Sequence, residues 1–406
     1  MISSAVAEFN PLAPQMAVDP YPFYRTLREA DRGVHHVALL DMYVLTRHED
    51  VSAFYRDRRL EVHYAARETA RYGTQVLDER FYRYFQHMAF ALDNPKHRTI
   101  RQMFQASFTL SRLNGLRTRI DQIADGLIDD KLADGGMEFI SDFAERFPLM
   151  VIGEMLGVPA ADCGRVGAWA RELGPAFEFL PMDAERLKIV DSCVGHLVEY
   201  FENMAKIRLR NPRDDLFTGM LHAAAKSDGE ISLDMVIANA IILYIGGHET
   251  TSGAMGLSLL ALHRQPQAFE CLGSDHSLIP AAVEEFLRFD ISTQGTGRVA
   301  SEAVEYGGVE IPAGSMMLAY LGAALRDPAI YSNPDELDFK RPAVRLISFA
   351  PGAHQCVGHQ LARMELATFL RLLLTRIPPG HRLMTLDPPF KGFPLLRGLA
   401  ELPVEW

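Results

Sequence analysis

The sequence predicts a mainly α fold with a small β region, built as one domain over residues 1–406. Three observations predict it. Apolar residues recur three and four apart, between charged ones, over most of the chain. Stretches with strand-like composition are short and stand near the edges of the helical segments. No Gly/Ser-rich linker, low-complexity tract or repeat marks a boundary.

In chain order, a helix is expected to begin near Pro95, and helical periodicity covers 118–133, 144–156, 183–208 and 279–288. Strands are expected at 37–45 and at 304–311, the second closing on the turn Pro312-Ala313-Gly314. The longest helix is expected over 232–264. Ser232 suits its N-cap, Asp234 its first turn, and Pro266 comes just past its end. At ~1.5 Å per residue it would run roughly 45 to 50 Å, far enough to carry its middle through the core. That middle reads Gly246-Gly247-His248-Glu249-Thr250-Thr251-Ser252, two poor helix formers and five polar residues after an apolar run. A last amphipathic helix is expected over 359–376, entered from an irregular Pro/Gly-containing loop.

Composition narrows the function. Hydrophobic residues at 48% and charged residues at 23% fit a packed globular chain. A net charge of -11 opposes phosphate backbones and anionic lipid surfaces, so neither a nucleic acid nor a membrane is an expected partner. The N-terminus has no basic segment followed by an apolar one, which points to the cytoplasm. The four cysteines (163, 193, 271 and 356) lie far apart with no Cys-x-x-Cys pair, as reduced thiols do.

Cys356 stands where the irregular loop meets the last helix. Unpaired N–H groups and the positive end of the helix dipole favour a thiolate there, and the thiolate is the form that binds metal. Other motifs are incomplete. Gly295-Thr296-Gly297-Arg298-Val299-Ala300 has dinucleotide-loop spacing but no βαβ setting, and His248-Glu249 begins a zinc motif whose second histidine is replaced by Ser252.

The loop Phe349-Ala350-Pro351-Gly352-Ala353-His354-Gln355-Cys356-Val357-Gly358 resembles the haem-binding loop of the cytochrome P450 family, departing from its commonest form at Ala350, where glycine is usual, and at Val357. Two more stretches resemble family signatures: Glu285-Phe286-Leu287-Arg288, and the Gly246 to Thr251 stretch, similar to the oxygen-activation segment. His97 and Arg101, four apart, resemble the family's propionate pair, and Arg298 its second propionate arginine. Asp19-Pro20-Tyr21-Pro22-Phe23-Tyr24 and Ala323-Ala324-Leu325-Arg326-Asp327-Pro328 look like soluble bacterial members, so the likeness runs nearly the full length.

The resemblance implies a haem b (iron protoporphyrin IX) held between the middle of the long helix and the cysteine loop. Cys356 would be the iron ligand, with Phe349 packed near the sulfur and His354, His97, Arg101 and Arg298 toward the propionates. Gly246, Gly247, Gly352 and Gly358 would let backbone approach the cofactor. Glu285 and Arg288 would be structural. Thr250 and Glu249 would handle protons, since a hydroxyl beside a carboxylate can pass them through water. The implied function is a monooxygenase acting on a small organic substrate, free or carrier-protein-bound, in specialised metabolism. Alternatives are a non-oxygenating haem-thiolate enzyme (aryl coupling or peroxide use) or a haem sensor. With no flavin or iron–sulfur motif in the chain, electrons would come from a ferredoxin or flavodoxin and an NAD(P)H-dependent reductase, docking on a basic surface that includes Arg101, Arg112, Arg345 and Arg363. By family position the pocket wall would draw on residues 62–85, Phe177, Glu178, Phe179, Tyr244, Ile245, Ile291 and the residues after it to 296, and Phe393.

Overall fold

The computed structural model describes residues 9–30, 32–178, 181–342, 344 and 346–406. Phe179 of the expected pocket and Arg345 of the expected basic surface lie outside the described residues.

Seven helices position the site: α1 (Lys96–Gln105), α2 (Leu110–Asp129), α3 (Arg146–Leu156), α4 (Ala184–Arg210), α5 (Leu233–Arg264), α6 (Ile279–Phe289) and α7 (His359–Thr375). α5 is the expected long helix. Ser232 caps it by accepting from the N–H of Met235 at 3.2 Å, and the chain leaves it through Gln265 into Pro266. Most of α5 is buried, flanked by α3, α4 and α7. Several of its buried polar side chains are therefore bonded within the protein. Asn239 donates to the carbonyls of His87 and Met235, Ser258 to that of Ala254, and His248 Nδ1 lies 2.9 Å from the Tyr244 carbonyl. No single helix among the described residues is long and apolar enough to cross a membrane.

The strands are β1 (Val34–Val37), β2 (Met42–Leu45), β3 (Leu60–Glu61), β4 (Gly136–Glu138), β5 (Gly295–Ala300), β6 (Val304–Tyr306), β7 (Val309–Ile311), β8 (Met316–Tyr320), β9 (Arg382–Leu383) and β10 (Pro403–Glu405). Five form a sheet in the order β1-β2-β8-β5-β3, in which β2 and β8 run parallel and the other pairs antiparallel. β4, β10 and β9 form a second sheet, and β6 and β7 a hairpin. The two strands expected at 37–45 and 304–311 need correction. The first is the turn and second arm of the β1–β2 hairpin, with Asp41 at φ 46°; the second is the whole β6–β7 hairpin, turned by Gly307 and Gly308 at φ 54° and 71°.

α6 and the chain before the cysteine loop are fastened by one buried ionic cluster. Arg288 donates to both oxygens of Glu285 (Nε 2.8 Å, Nη2 2.7 Å), as the three-residue spacing predicts, and to the carbonyls of Leu325, Pro334 and Glu336. Arg341, absent from the sequence expectations, reaches both oxygens of Glu285 at 3.3 Å. Ser348 then bonds the Leu287 carbonyl at 2.9 Å, so the loop leading to Cys356 is anchored on α6.

Candidate active site

A cavity of about 860 Å³ lies between the middle of α5 and the 348–358 loop. On the loop side, the N–H of Cys356 donates to the Phe349 carbonyl at 3.0 Å and that of Gln355 to Gly352 at 3.2 Å, which turns the Cys356 side chain into the cavity. α7 starts three residues later, at His359. The thiol is accessible from the cavity yet enclosed by the surrounding protein. That enclosure pushes its pKa up, against the pull of the Gly358 N–H and the Arg101 and Arg363 guanidiniums. Phe349 stands in the wall with Arg363 over its ring, 4.6 Å from the centroid.

Four cationic or donor side chains converge beside this loop. The rings of His97 and His354 lie 4.0 Å apart, and Arg101 and Arg298 donate to the carbonyls of Gln355 at 2.6 Å and Gly297 at 2.8 Å. All four line the cavity. Burial first, then the Arg101 and Arg298 charges, lower His97 to about 4; burial, Arg298, His97 and Arg101 lower His354 to about 2. Among the described residues no carboxylate ion-pairs with Arg101 or Arg298, and His97 Nε2 is buried without a partner. So much uncompensated positive potential in one enclosed place calls for an anion.

On the α5 side, Gly246, Gly247, Glu249 and Thr250 all border the cavity. Thr250 Oγ1 donates to the Gly246 carbonyl at 3.1 Å. Glu249 Oε2 accepts from Lys391 Nζ at 3.3 Å, and His248 Nε2 stands 3.5 Å from Oε1 but makes no hydrogen bond. Burial opposes the charged form of Glu249, but the His248 ring and the Lys391 ammonium outweigh it and hold the carboxyl at about 2.

Several expectations are corrected. Tyr244 does not line the cavity: fully buried, it donates to the Cys163 carbonyl at 3.2 Å on the other side of α5. Phe393 is also off the wall, and Leu395 and Leu396 take its place. Gly352 packs against the Tyr55 carbonyl, where a Cβ would lie 1.9 Å from the oxygen. Gly247 borders the cavity, but its missing Cβ lets Ile152 of α3 close on α5. Gly358, Ile245, Ile291 and Phe177 lie in the wall as expected, Phe177 stacked on Phe85. The expected basic surface is weaker than charge counting suggests. Arg112 pairs with Asp214 and Arg363 with Glu284, while Arg101 faces the cavity.

Comparisons with known proteins agree with this geometry. The family model for cytochrome P450 matches residues 173–377. The chain is 34% identical to the vitamin D(3) 25-hydroxylase of Pseudonocardia autotrophica over 95% of this chain and 93% of that protein. It is 35% identical to the pentalenic acid synthase of Streptomyces avermitilis over 96% and 94%. The chain belongs to the cytochrome P450 family. The fold of this cytochrome P450 matches the crystal structure of P450BioI in complex with a hexadecenoic acid-ligated acyl carrier protein, with a TM-score of 0.89 and 30% identity over 97% of this chain and 100% of that one. The protein is thus an oxidoreductase of a haem-binding family.

The residues present fit haem. The orphaned His97 nitrogen and the two arginines without carboxylates match a dianionic rim, and the cysteine that faces the same cavity matches an iron ligand. Sequence reasoning missed Lys391 and Glu365. Glu365 borders the cavity, is fully buried with neither oxygen partnered, and is raised by burial well above the usual carboxylate range. Its signal was present: 358, 361, 362 and 365 form one helical stripe, and all four border the cavity.

Proposed function

We propose that this cytochrome P450 is a haem b monooxygenase that inserts one oxygen atom of dioxygen into an apolar organic substrate, in the tailoring of a specialised metabolite. The observation that carries the reading is the pairing, across one cavity, of the Cys356 thiol with the Thr250 hydroxyl and the Glu249 carboxylate. His97, Arg101, Arg298 and His354 would hold the propionates, and Cys356 the iron. Haem, when bound, supplies the redox chemistry of dioxygen, with thiolate ligation favouring O–O cleavage.

The chain's own residues bind, orient and move protons. Thr250 is fixed by its bond to the Gly246 carbonyl, so its oxygen faces the cavity at a set place on α5. Glu249, next in sequence, is the group that takes a proton and returns it toward that hydroxyl. The wall around Phe90, Phe177, Ile245, Ile291 and Leu395 excludes water and favours an apolar substrate. Arg67 and Arg71, which border the cavity and pair with the buried Glu68 at 2.9 and 3.3 Å, put polar groups into this apolar wall, which suits a substrate with an acidic or carrier-linked end. The P450BioI relative, solved with an acylated carrier protein, supports the carrier-linked form.

Electrons would come from a ferredoxin or flavodoxin and its reductase, which places the enzyme in the cytoplasm beside those donors. Exposed Lys96 and Arg98, on the same helix as His97 and Arg101, are cations that such an acidic partner would meet. The test is turnover with a surrogate ferredoxin, its reductase and ¹⁸O-labelled dioxygen over a panel of apolar acids and terpenes. One labelled oxygen in the product is expected. Product carrying no label, or formed equally without dioxygen, overturns the reading.

A further inference from the structure

Lys391 binds the site's acid, Glu249, from outside every motif. It lies in the irregular segment 389–400, which folds back on itself: the N–H of Lys391 donates to the Gly398 carbonyl at 2.9 Å and that of Ala400 to Pro389 at 2.8 Å. The returning arm is held at the cavity wall. The N–H groups of Leu395 and Leu396 both donate to the Glu178 carboxylate at 3.1 Å, and the N–H of Gln294 to the Leu395 carbonyl at 2.8 Å. Lys391 is thus placed by backbone bonds and not by chance packing.

Its ammonium has two carboxylate partners. Nζ donates to Glu249 Oε2 at 3.3 Å and to Glu145 Oε1 at 3.0 Å. The three side chains are each less than a fifth exposed. Glu145 also stands 3.6 Å from Arg171 Nη1, which is 40% exposed, so the ionic chain Glu249, Lys391, Glu145, Arg171 runs from the cavity to the surface. The groups that face Glu249 are His248 on its own helix, Lys391 on the returning segment, and Glu145 at the entrance to α3, with Arg171 behind it. A buried lysine between two carboxylates has two paired arrangements: bridging both, or resting on Glu145 alone with Arg171 adding charge behind it.

Resting on the monooxygenase reading, we propose that Lys391 is a positioning residue for proton transfer: it parks Glu249 as a carboxylate and frees it to take a proton by resting on Glu145 instead. With the His248 ring beside it and Lys391 bridging, Glu249 is held proton-free far below neutral pH. When Lys391 rests on Glu145, the enclosed Glu249 carboxylate has lost a cation, and its proton affinity climbs by about 1 to 3 pH units, as expected for loss of an opposite charge at this range. A hydronium proton from solvent then binds at Glu249 Oε2, leaving neutral water behind, and passes on to a water beside the Thr250 hydroxyl in the cavity, which restores the carboxylate. Only O–H bonds form and break, and no electron moves.

The test compares wild type with Lys391→Met, Lys391→Arg and Glu145→Gln, each as ferric holoenzyme. One readout is the infrared band of a protonated carboxyl that Glu249→Gln abolishes, titrated from pH 3.5 to 7 without turnover. The other is oxygen consumption driven by a surrogate ferredoxin and reductase, in water and in heavy water. Lys391→Met is expected to bring the Glu249 band into that pH window, and Lys391→Arg to keep the wild-type profile. Glu145→Gln denies the lysine its second seat. It is expected to leave Glu249 proton-free while slowing oxygen consumption severalfold and enlarging the solvent isotope effect. A Lys391→Met titration that overlays wild type, or a Glu145→Gln rate equal to wild type, overturns the proposal. If Lys391→Met does not retain haem, the Glu145→Gln pair of readouts decides alone. A wild-type protein that takes up no haem instead removes the reading on which the proposal rests.

Discussion

The departure at Ala350 has a measurable cost. Where the family pattern has glycine, this chain holds alanine at φ 50°, in the turn closed by the bond from its N–H to the Ile347 carbonyl. A side chain in the left-handed region costs roughly 1 to 2 kcal/mol. Replacing Ala350 by Gly removes that cost but widens the unfolded ensemble by about 0.4 to 1 kcal/mol. The net gain is about 0 to 1.6 kcal/mol, which for a chain of this length raises the melting temperature by at most about 2 °C. Gly352→Ala, two residues away, should do the reverse. At φ 144° its added Cβ would meet the Tyr55 carbonyl oxygen at 1.9 Å, backbone that cannot step aside. Strain on the order of 3 kcal/mol or more should then loosen the loop that presents Cys356. Thermal unfolding of both holoproteins, followed by circular dichroism and by haem absorbance, checks the pair. A destabilised Ala350→Gly, or a Gly352→Ala protein that melts with wild type, refutes the backbone argument.

Two further predictions concern the scaffold. Glu285→Gln leaves Arg288 and Arg341 buried without their shared anion and should cost about 3 to 5 kcal/mol. Arg341→Met, which leaves the Arg288 pair intact, should cost about 1.5 to 3 kcal/mol; an Arg341→Met protein that unfolds in urea together with wild type would show that Arg341 adds nothing to the cluster. The haem-free protein should also lose stability as pH falls. The unfolded chain protonates His97 near its ordinary value of 6.5, whereas the folded chain does so only at about 4, so the unfolded state binds more protons between the two. The histidine's contribution is therefore complete above about 6.5 and lost as pH drops toward 4. His97→Phe should flatten the slope of melting temperature against pH in that window, and haem should flatten it in wild type by setting anions beside the ring. A slope unchanged by the substitution would refute the assignment.

What the sequence revealed and what it hid divide along one physical line. Features fixed by helical spacing or by a cap were legible: the start of α5 at Ser232, the Glu285–Arg288 fork, and the convergence of His97 and Arg101 on one wall. The error at Tyr244 was avoidable on the same grounds. The cavity stripe of α5 includes 242, 245, 246, 249, 250 and 254, and a residue two places from 242 faces away from it, toward α3 and Cys163. The β6–β7 hairpin was likewise announced by Gly307-Gly308 between alternating residues.

Arg341 and Lys391 were not legible, because each meets its partner across a long stretch of chain, 56 residues from Glu285 and 142 from Glu249. Both also sit in irregular backbone, where no period says which way a side chain turns; the same holds for Phe393, displaced from the wall by Leu395 and Leu396. The Lys391 contact adds to that of the neighbouring His248 ring in holding the acid beside Thr250 as a carboxylate. Sequence spacing could name Glu249 as a proton handler. That a lysine 142 residues away is bound to it is visible only in the fold.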